Sequence, residues 1–529
     1  MLLLKTVEGL RCYLKQLRSG QSRSGASPTA VIELGLVPTM GALHAGHLSL
    51  IQRARRENDR VVVSIFVNPT QFGPGEDLAN YPRDLAHDQR LCAEAGVDVV
   101  FAPDVEALYG GPKPDKLVLT EVIPPPAFTS ILCGRTRPGH FQGVATVVTK
   151  LLNLMRPERV YFGQKDAQQL AIIRKLTADL KLSVEIVPCP IVREADGLAL
   201  SSRNQYLNTL ERQQATTLYR SLQAAEQAFQ TGARSRSVLV DRVNAELAKV
   251  AAIRPEYVEL VHPHTMTRLE QVESVGMLAI AAHLGKTRLI DNILLRSRQP
   301  IIAIDGPAGA GKSTVARIVA QKLGLLYLDS GAMYRAVTWL ALQMGIDPQD
   351  QVAVAELIPS CRLRLAAAPL GTTDSLALSQ VWVNDQEVTE AIRGREVTSQ
   401  VSGIAAQPAV RSALLQQQQQ YGLQGGVVME GRDIGTQVFP EAELKVFLTA
   451  SIQERARRRH QDHQVQNPLG MSLADLEQAI QQRDHQDSKR RLAPLRKASD
   501  AIEILTDDLS IDQVVNKIVS LYQQRLENK

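Results

Sequence analysis

The chain predicts an α/β protein built from two separate domains, and three observations carry that prediction. Apolar strand-length runs alternate with helical runs through the first two hundred residues, as in VIELGLVPT, HLSLIQRARREND and RVVVSIFV. Such alternation belongs to parallel sheets covered by helices on both faces. A glycine-bearing stretch, TMGALHAGH at 39–47, joins the first of these strands to its helix, and an unrelated one, GPAGAGKST at 306–314, opens a fresh strand, loop and helix past the middle of the chain. At 529 residues the chain exceeds one ordinary core, since a domain takes about 100 to 200 residues.

The elements follow in order. Thr6 reads as the N-cap of a first helix. Residues 31–67 then read as strand, turn, helix and strand, a βαβ unit. A helix near 84–95, the strand VDVVFAP, a helix around TVVTKLLNLMRP, the strand RVYFG, a helix from Ala167 and the strand SVEIVPCP continue the alternation. After Leu207 the pattern changes to long polar helices and then to the short strands YVELV, MLAIAAHL and TRLIDNILL, which predicts a smaller α+β subdomain. RSRQP at 296–300 is polar and ends in proline, so it marks a boundary before IIAIDGPAGAGKSTVARIVAQKLG. The tract QQQQQ at 416–420 reads as a solvated helix end, because glutamine is a fair helix former.

Composition narrows the function classes. Charged residues make up 22% and hydrophobic ones 44%, near the soluble globular average. The longest apolar runs are strand-sized, well short of the ~20 residues of a membrane helix, so no membrane association is expected. MLLLKTVEGL has neither the apolar core nor the cleavage site of a targeting segment, which leads to the expectation of a cytoplasmic location. The cysteines Cys12, Cys92, Cys133, Cys189 and Cys361 lack metal-ligand spacing and read as reduced structural thiols. A net charge of +5 suits anionic nucleotides; nucleic-acid binding would need a basic stripe and stacking aromatics, and aromatics are only 4%.

GPAGAGKS satisfies the phosphate-cradling pattern G-x-x-x-x-G-K-[ST] between an apolar strand and an apolar helix. Gly306, Gly309 and Gly311 let backbone N–H groups turn toward phosphate at the positive end of the helix, which Thr314 also enters. Lys312 would reach the β- and γ-phosphates, and Ser313 would hold the Mg²⁺ that accompanies ATP. Downstream come YLDSGAMYRAVTWLA, WVNDQEVTEAIRGREVTSQVSGIAAQPAVR, VVMEGRDIGTQVFP, SIQERARRRH and QRDHQDSKRRLAPL. With these motifs in this order, the span from about 300 to 525 resembles bacterial cytidylate kinase. The resemblance implies that Ser330, Tyr334 and Arg335 border the nucleoside monophosphate with Arg411, Arg432 and Asp433, while Arg483, Asp487 and Arg490 serve its cytosine and sugar side. Arg455, Arg457, Arg458 and Arg459 are read as a candidate lid, set against a solvated helix face. Glu430 stands where many relatives carry aspartate.

TMGALHAGH has no such lysine but places His44 and His47 three residues apart at the start of a helix, on one face. There the helix dipole and backbone N–H groups favour phosphate, so both rings are candidates to stabilise charge during attack at an α-phosphorus. FVNPTQF follows, with the neutral amides Asn68 and Gln71, then RPGHFQGV, YFGQKDAQQL and LALSSRNQYL. Together these resemble pantothenate synthetase, the pantoate-β-alanine ligase, over about 1–295. The resemblance implies a two-step ligation through pantoyl adenylate. Met40, Gly41, Ala42, Leu43, His44, Ala45, Gly46 and His47 would form the ATP loop, with His47 as proton donor. Gly163, Gln164, Lys165 and Asp166, then Val192, Leu200, Ser201, Ser202 and Arg203, would embrace ATP, with Lys165 and Arg203 charged at the phosphates. Gln71 and Gln169 would hold pantoate, with Asn68 beside them and Gln71 also near β-alanine. Asp88 is a candidate to position Mg²⁺ and equally reads as a surface aspartate.

The fold expected is a Rossmann-like nucleotidyltransferase domain at 1–204, an α+β subdomain at 205–295, a linker at 296–300 and a P-loop nucleoside monophosphate kinase at 301–529. ATP with Mg²⁺, pantoate, β-alanine and CMP or dCMP are the expected small-molecule partners, with no tightly bound organic cofactor. A homodimer through the ligase half is a further candidate. The alternative, one half decayed to a nucleotide-binding regulatory module, is disfavoured because both cradles and their charged partners are retained.

Overall fold

Residues 1–19, 32–110, 119–297, 299–366, 380–466, 472–490 and 493–527 are described by a computed structural model, in which the chain divides into the units Met1–Ser297 and Arg298–Lys529. Val31 of the first predicted strand and Arg298 of the predicted linker lie outside the described residues.

In the first unit β1 (Leu2–Leu4), β2 (Leu34–Thr39), β3 (Arg60–Ile65), β4 (Val99–Phe101), β5 (Arg159–Gly163) and β6 (Glu185–Cys189) form one parallel sheet in the order β1-β4-β3-β2-β5-β6. Leu36 sits opposite both Val62 and Val160, so the chain runs outward from β2 in both directions. Leu36 and Val62 face a core with Leu10, Val148 and Ile172, whereas Val37 and Val63 face a second core with Ile51 and Cys92. Burial on both faces is why these strands read as continuous apolar runs. The helix Val7–Arg18 begins as expected, with Thr6 Oγ1 accepting the Gly9 N–H at 3.1 Å. Edge strand β1 was not anticipated, because its three leucines precede a helix cap and lack any alternation.

The helices Thr209–Ala215, Thr217–Gln230 and Arg236–Leu247 lead into an antiparallel sheet of β7 (Ile253–Val261), β8 (Val275–Leu284) and β9 (Thr287–Arg296). Met277, Ala279 and Ala281 join the core under the large sheet, while Leu278, Ile280 and Ala282 pack on the subdomain's own helices. The period-two alternation of a strand thus seats this small sheet against the nucleotide-binding one.

In the second unit β10 (Ile302–Asp305), β11 (Leu326–Asp329), β15 (Val427–Gly431), β16 (Leu444–Thr449) and β17 (Ile502–Leu505) form a parallel sheet ordered β11-β15-β10-β16-β17. β12 (Leu363–Ala366), β13 (Gln380–Val383) and β14 (Gln386–Glu387) form a separate antiparallel sheet. The glutamine tract ends the helix Pro408–Gly422, but it is not uniformly solvated: Gln418 is buried and bonds Tyr334. A side chain on the inner face of a helix is buried whatever its neighbours in sequence, which the tract's composition conceals.

Candidate active sites

A cavity of about 250 Å³ opens at the carboxyl ends of β2, β3 and β5. It lies where the order of the sheet reverses, the usual place for a ligand in a parallel α/β sheet. His44 is the N-cap of the helix Ala45–Glu57, and its Nδ1 accepts the Gly46 N–H at 3.1 Å. The Nδ1 of His47 accepts the His44 N–H at 3.4 Å, which completes a reciprocal capping box made of two imidazoles. With both Nδ1 atoms accepting, a neutral ring carries its hydrogen on Nε2. Burial holds His44 down at about 4 and His47 at about 3, with Lys165 adding to both and His44 to His47. A neutral ring in this arrangement offers the Nε2–H as a hydrogen-bond donor.

Met40, His44, Gly46, His47, Asn68, Gln71, Gly163, Lys165, Asp166, Gln169, Val192, Leu200, Ser201, Ser202 and Arg203 all line this cavity. Gly41, Ala42, Leu43, Ala45 and Gln164 do not. Gly41 has φ +82°, and a Cβ there would lie 2.9 Å from Asp88 Oδ2. Asp88 is not a surface aspartate. It is buried and outside the cavity, and its two oxygens accept the N–H groups of Ala42 at 3.0 Å and Leu43 at 2.8 Å. It anchors the backbone of Ala42 and Leu43.

Asn68 is likewise a support. Its Oδ1 accepts from Tyr109 at 2.8 Å, and its Nδ2 donates to Gln71 Oε1 at 3.1 Å and Gly143 O at 3.2 Å. Arg203 is engaged as well, since Nε and Nη2 each lie 2.9 Å from a carboxylate oxygen of Asp77. Sequence reasoning passed over Arg137 and His140, which also line the cavity. Arg137 grips Glu76 at 2.7 and 2.5 Å, and His140 Nδ1 sits 2.7 Å from Gln71 O. Both stand in RPGHFQGV, a motif quoted above without a role for either; a basic pair opening a helix was the available signal.

In the second unit the glycine loop turns as its sequence requires. Gly306 has φ +148°, and a Cβ there would lie 2.0 Å from Leu448 O, so glycine alone fits. The helix Lys312–Leu323 starts at the N-cap Gly311 and carries Ser313 and Thr314 in its first turn. Lys312 is buried with Nζ donating to Pro307 O at 2.8 Å; burial, then Arg432, holds its pKa below the usual range. Ser313 Oγ donates to Glu430 Oε1 at 2.5 Å. Glu430 thus faces the first turn of the phosphate-cradling helix, and its longer side chain still spans the gap.

The nine residues assigned to the nucleoside monophosphate converge. Arg411 pairs with Asp433 and lies 5.5 Å from the centre of the Tyr334 ring. Arg432 Nε donates to Asp487 Oδ2 at 2.9 Å, and Arg490 lies 3.5 Å from the same carboxylate. Arg335 pairs with Asp329 at 2.6 Å, and Ser330 Oγ donates to Glu430 O at 2.7 Å. Burial and neighbouring cations, Arg432 above all, lower the pKa of Arg483, and its buried Nε meets no acceptor among the described residues. Such crowding of cations is relieved by an anion. Asp305, which sequence reasoning overlooked, accepts the N–H groups of Ile434 at 2.8 Å and Gly435 at 2.7 Å just beyond Arg432 and Asp433.

The four arginines of SIQERARRRH do not act alike. Arg455 is buried and donates to Ala308 O at 3.1 Å and Asp484 at 2.6 Å, which makes it an anchor of the glycine loop and not part of a lid. Arg457 is exposed beside Glu454, and Arg458 reaches Thr506 O at 2.7 Å. Arg491 and Leu492 of the last kinase motif lie outside the described residues.

Comparison with known proteins places both halves of the chain in families. Residues 3–294 match the family model for pantoate-beta-alanine ligase, and residues 302–524 match that for cytidylate kinase. A bifunctional pantoate ligase/cytidylate kinase of Trichormus variabilis is 59% identical over 99% of each chain. A protein of the same description from Thermosynechococcus vestitus is 57% identical over 94% of this chain and 95% of its own. The crystal structure of a pantothenate synthetase from Thermus thermophilus, 44% identical, superposes with a TM-score of 0.50 on 55% of this chain and 99% of its own. Two family models matched in succession, and relatives of that joint description matched over nearly their whole length, lead to one conclusion: the chain belongs to the bifunctional pantoate ligase/cytidylate kinase family.

Proposed function

We propose that this chain catalyses two reactions at two independent sites. The first unit condenses pantoate with β-alanine through pantoyl adenylate, releasing pyrophosphate and AMP. The second transfers the γ-phosphoryl group of ATP to CMP or dCMP. The observation that carries the reading is the pairing, within one chain, of a two-histidine helix cap at one cavity and a lysine-bearing glycine loop at another. The division at Ser297 and Arg298 supports a boundary between a ligase half and a kinase half there; within these halves we propose a nucleotidyltransferase domain at 1–204, a subdomain at 205–295, a linker at 296–300 and a kinase at 301–529.

In the ligase a pantoate carboxylate oxygen attacks the α-phosphorus and the bond to the pyrophosphate oxygen breaks. The Nε2–H groups of His44 and His47, with Lys165, offset the charge that gathers on the departing phosphates. Gln71 and Gln169 orient pantoate. The amine of β-alanine then attacks the acyl carbon, AMP leaves with the bonding pair, and the amine gives up its proton. Adenylation is required because a carboxylate resists amines while a mixed anhydride does not.

In the kinase an oxygen of the CMP phosphate attacks the γ-phosphorus and ADP leaves. The work is alignment and charge screening, which Lys312 and the converging arginines supply. A hydroxyl and a carboxylate already paired, Ser313 and Glu430, are suited to hold Mg²⁺. When bound, the ion screens the β- and γ-phosphate oxygens. Among the described residues no helix is long and apolar enough to cross a membrane, and the five free cysteines are consistent with a cytoplasmic location.

Reciprocal substitution tests the reading. Lys312→Met is expected to cost CMP phosphorylation about 3 to 4 kcal/mol of transition-state stabilisation and spare pantothenate formation. Lys165→Met is expected to do the reverse, since distant sites act additively. Loss of both reactions from one substitution in a folded protein would contradict two independent sites.

A further inference from the structure

The turn Gln164–Asp166 carries Lys165 into the ligase cavity. A single 3₁₀ turn is a weak scaffold by itself, with few hydrogen bonds of poor geometry. It is held from outside. Asn292, buried on β9 of the small subdomain, donates through Nδ2 to Gln164 O and to Lys165 O, each at 3.0 Å. One amide thereby spans two successive carbonyls of the turn.

The neighbouring residue serves the other nucleotide loop. Asp291 accepts from both terminal nitrogens of Arg193, at 2.7 and 2.9 Å, and through Oδ1 also accepts the backbone N–H of Asn292 at 2.8 Å. Arg193 in turn donates to Gly197 O at 3.1 Å and pairs as a bridge with Ala199, two residues before Ser201. Its guanidinium lies 3.7 Å from the centre of the Tyr219 ring, which limits its freedom. Two consecutive residues of β9 therefore brace both loops that would embrace ATP.

We infer that Asn292 is a positioning residue for adenylation: it holds the Lys165 turn so that the lysine meets the phosphates of ATP, and this is how the small subdomain contributes to the first half-reaction. The inference rests on the ligase reading of the N-terminal unit. Its geometry bears on the first half-reaction, because both hydrogen bonds of the clamp go to the turn that carries Lys165.

The test uses the full chain. Pantoate-dependent pyrophosphate release is followed in single turnovers without β-alanine, and the second step is followed separately by supplying synthetic pantoyl adenylate with β-alanine. Asn292→Asp keeps the shape but removes both N–H donors; it is expected to slow adenylation by roughly 10- to 100-fold, the scale for misplacing a reacting group. Its second step should keep the wild-type rate. Combined with Lys165→Ala, it should add no further loss, since the clamp acts only through that turn. An equal slowing of both half-reactions, or a full additional loss beside Lys165→Ala, would overturn the inference. If Asn292→Asp does not fold, Asn292→Ala removes the donors without adding charge and is read by the same outcomes. A wild-type chain that released no pantoate-dependent pyrophosphate would refute the ligase reading instead.

Discussion

At the scale of single residues, the ligase cavity depends on histidines kept neutral. His47→Ala removes one preorganised donor and is expected to lower the rate of adenylation by roughly 10²-fold or more, with pantoate affinity little changed. Turnover near the wild-type value would leave His47 only its capping role. The same rings make stability depend on pH. Their folded values of about 4 and about 3 lie below the ~6.5 of a free imidazole, so on acidification the unfolded chain binds protons that the native state refuses. The stability they contribute is complete above pH ~6.5 and is lost as pH falls toward their folded values. Thermal unfolding of the N-terminal unit at pH 7 and pH 5 should give a lower Tm at pH 5, and His44→Asn combined with His47→Gln should reduce the difference. An unchanged difference would mean that the rings are not held neutral. Roles of this kind separate what sequence could reveal from what it could not. The two histidines were legible because i and i+3 share a helix face, whereas the reversal at Asp88 arises from a partner 46 residues away that only the fold brings to Ala42.

At the scale of elements, strands and helices that bury a continuous apolar face were readable, and those stabilised by neighbours were not. β2, β3 and β5 announced themselves as apolar runs between polar turns. β1 exists because Leu2, Leu3 and Leu4 pair with Val99, Val100 and Phe101, contacts that no local pattern encodes. Arg455 was grouped with its neighbours as a charge run, but on a helix successive residues point to different faces. It turns inward to Ala308 while Arg457 stays in solvent. The residues proposed for the kinase acceptor site are distributed in this way, over the helices Ser330–Gln343, Pro408–Gly422 and Leu473–Lys489 and the segment after β15. Because residues 302–524 match the cytidylate kinase family model, CMP and dCMP are expected to outcompete AMP and GMP, with discrimination on the order of 10⁴-fold at best if the site hydrogen-bonds the base. Competition assays with equal concentrations of the four monophosphates measure this directly. Equal rates with AMP would point to a site that reads only phosphate.

At the scale of the whole molecule, each unit has its own sheet and its own cores, and the hydrophobic clusters of one contain no residue of the other. Fragments 1–297 and 298–529 are therefore expected to fold separately and keep their activities, which expression of each followed by unfolding and turnover measurements would establish. Aggregation of both fragments, despite sound expression, would indicate that each needs the other. The covalent join between self-sufficient units also has a consequence for a living cell. Transcription and translation can raise or lower the chain, but they cannot alter the molar ratio of its two catalysts, which stays at one to one. The balance between pantothenate and CDP supply is then left to the turnover numbers and substrate levels of the two sites. A substitution that slows one of them cannot be offset by making more protein without overproducing the other.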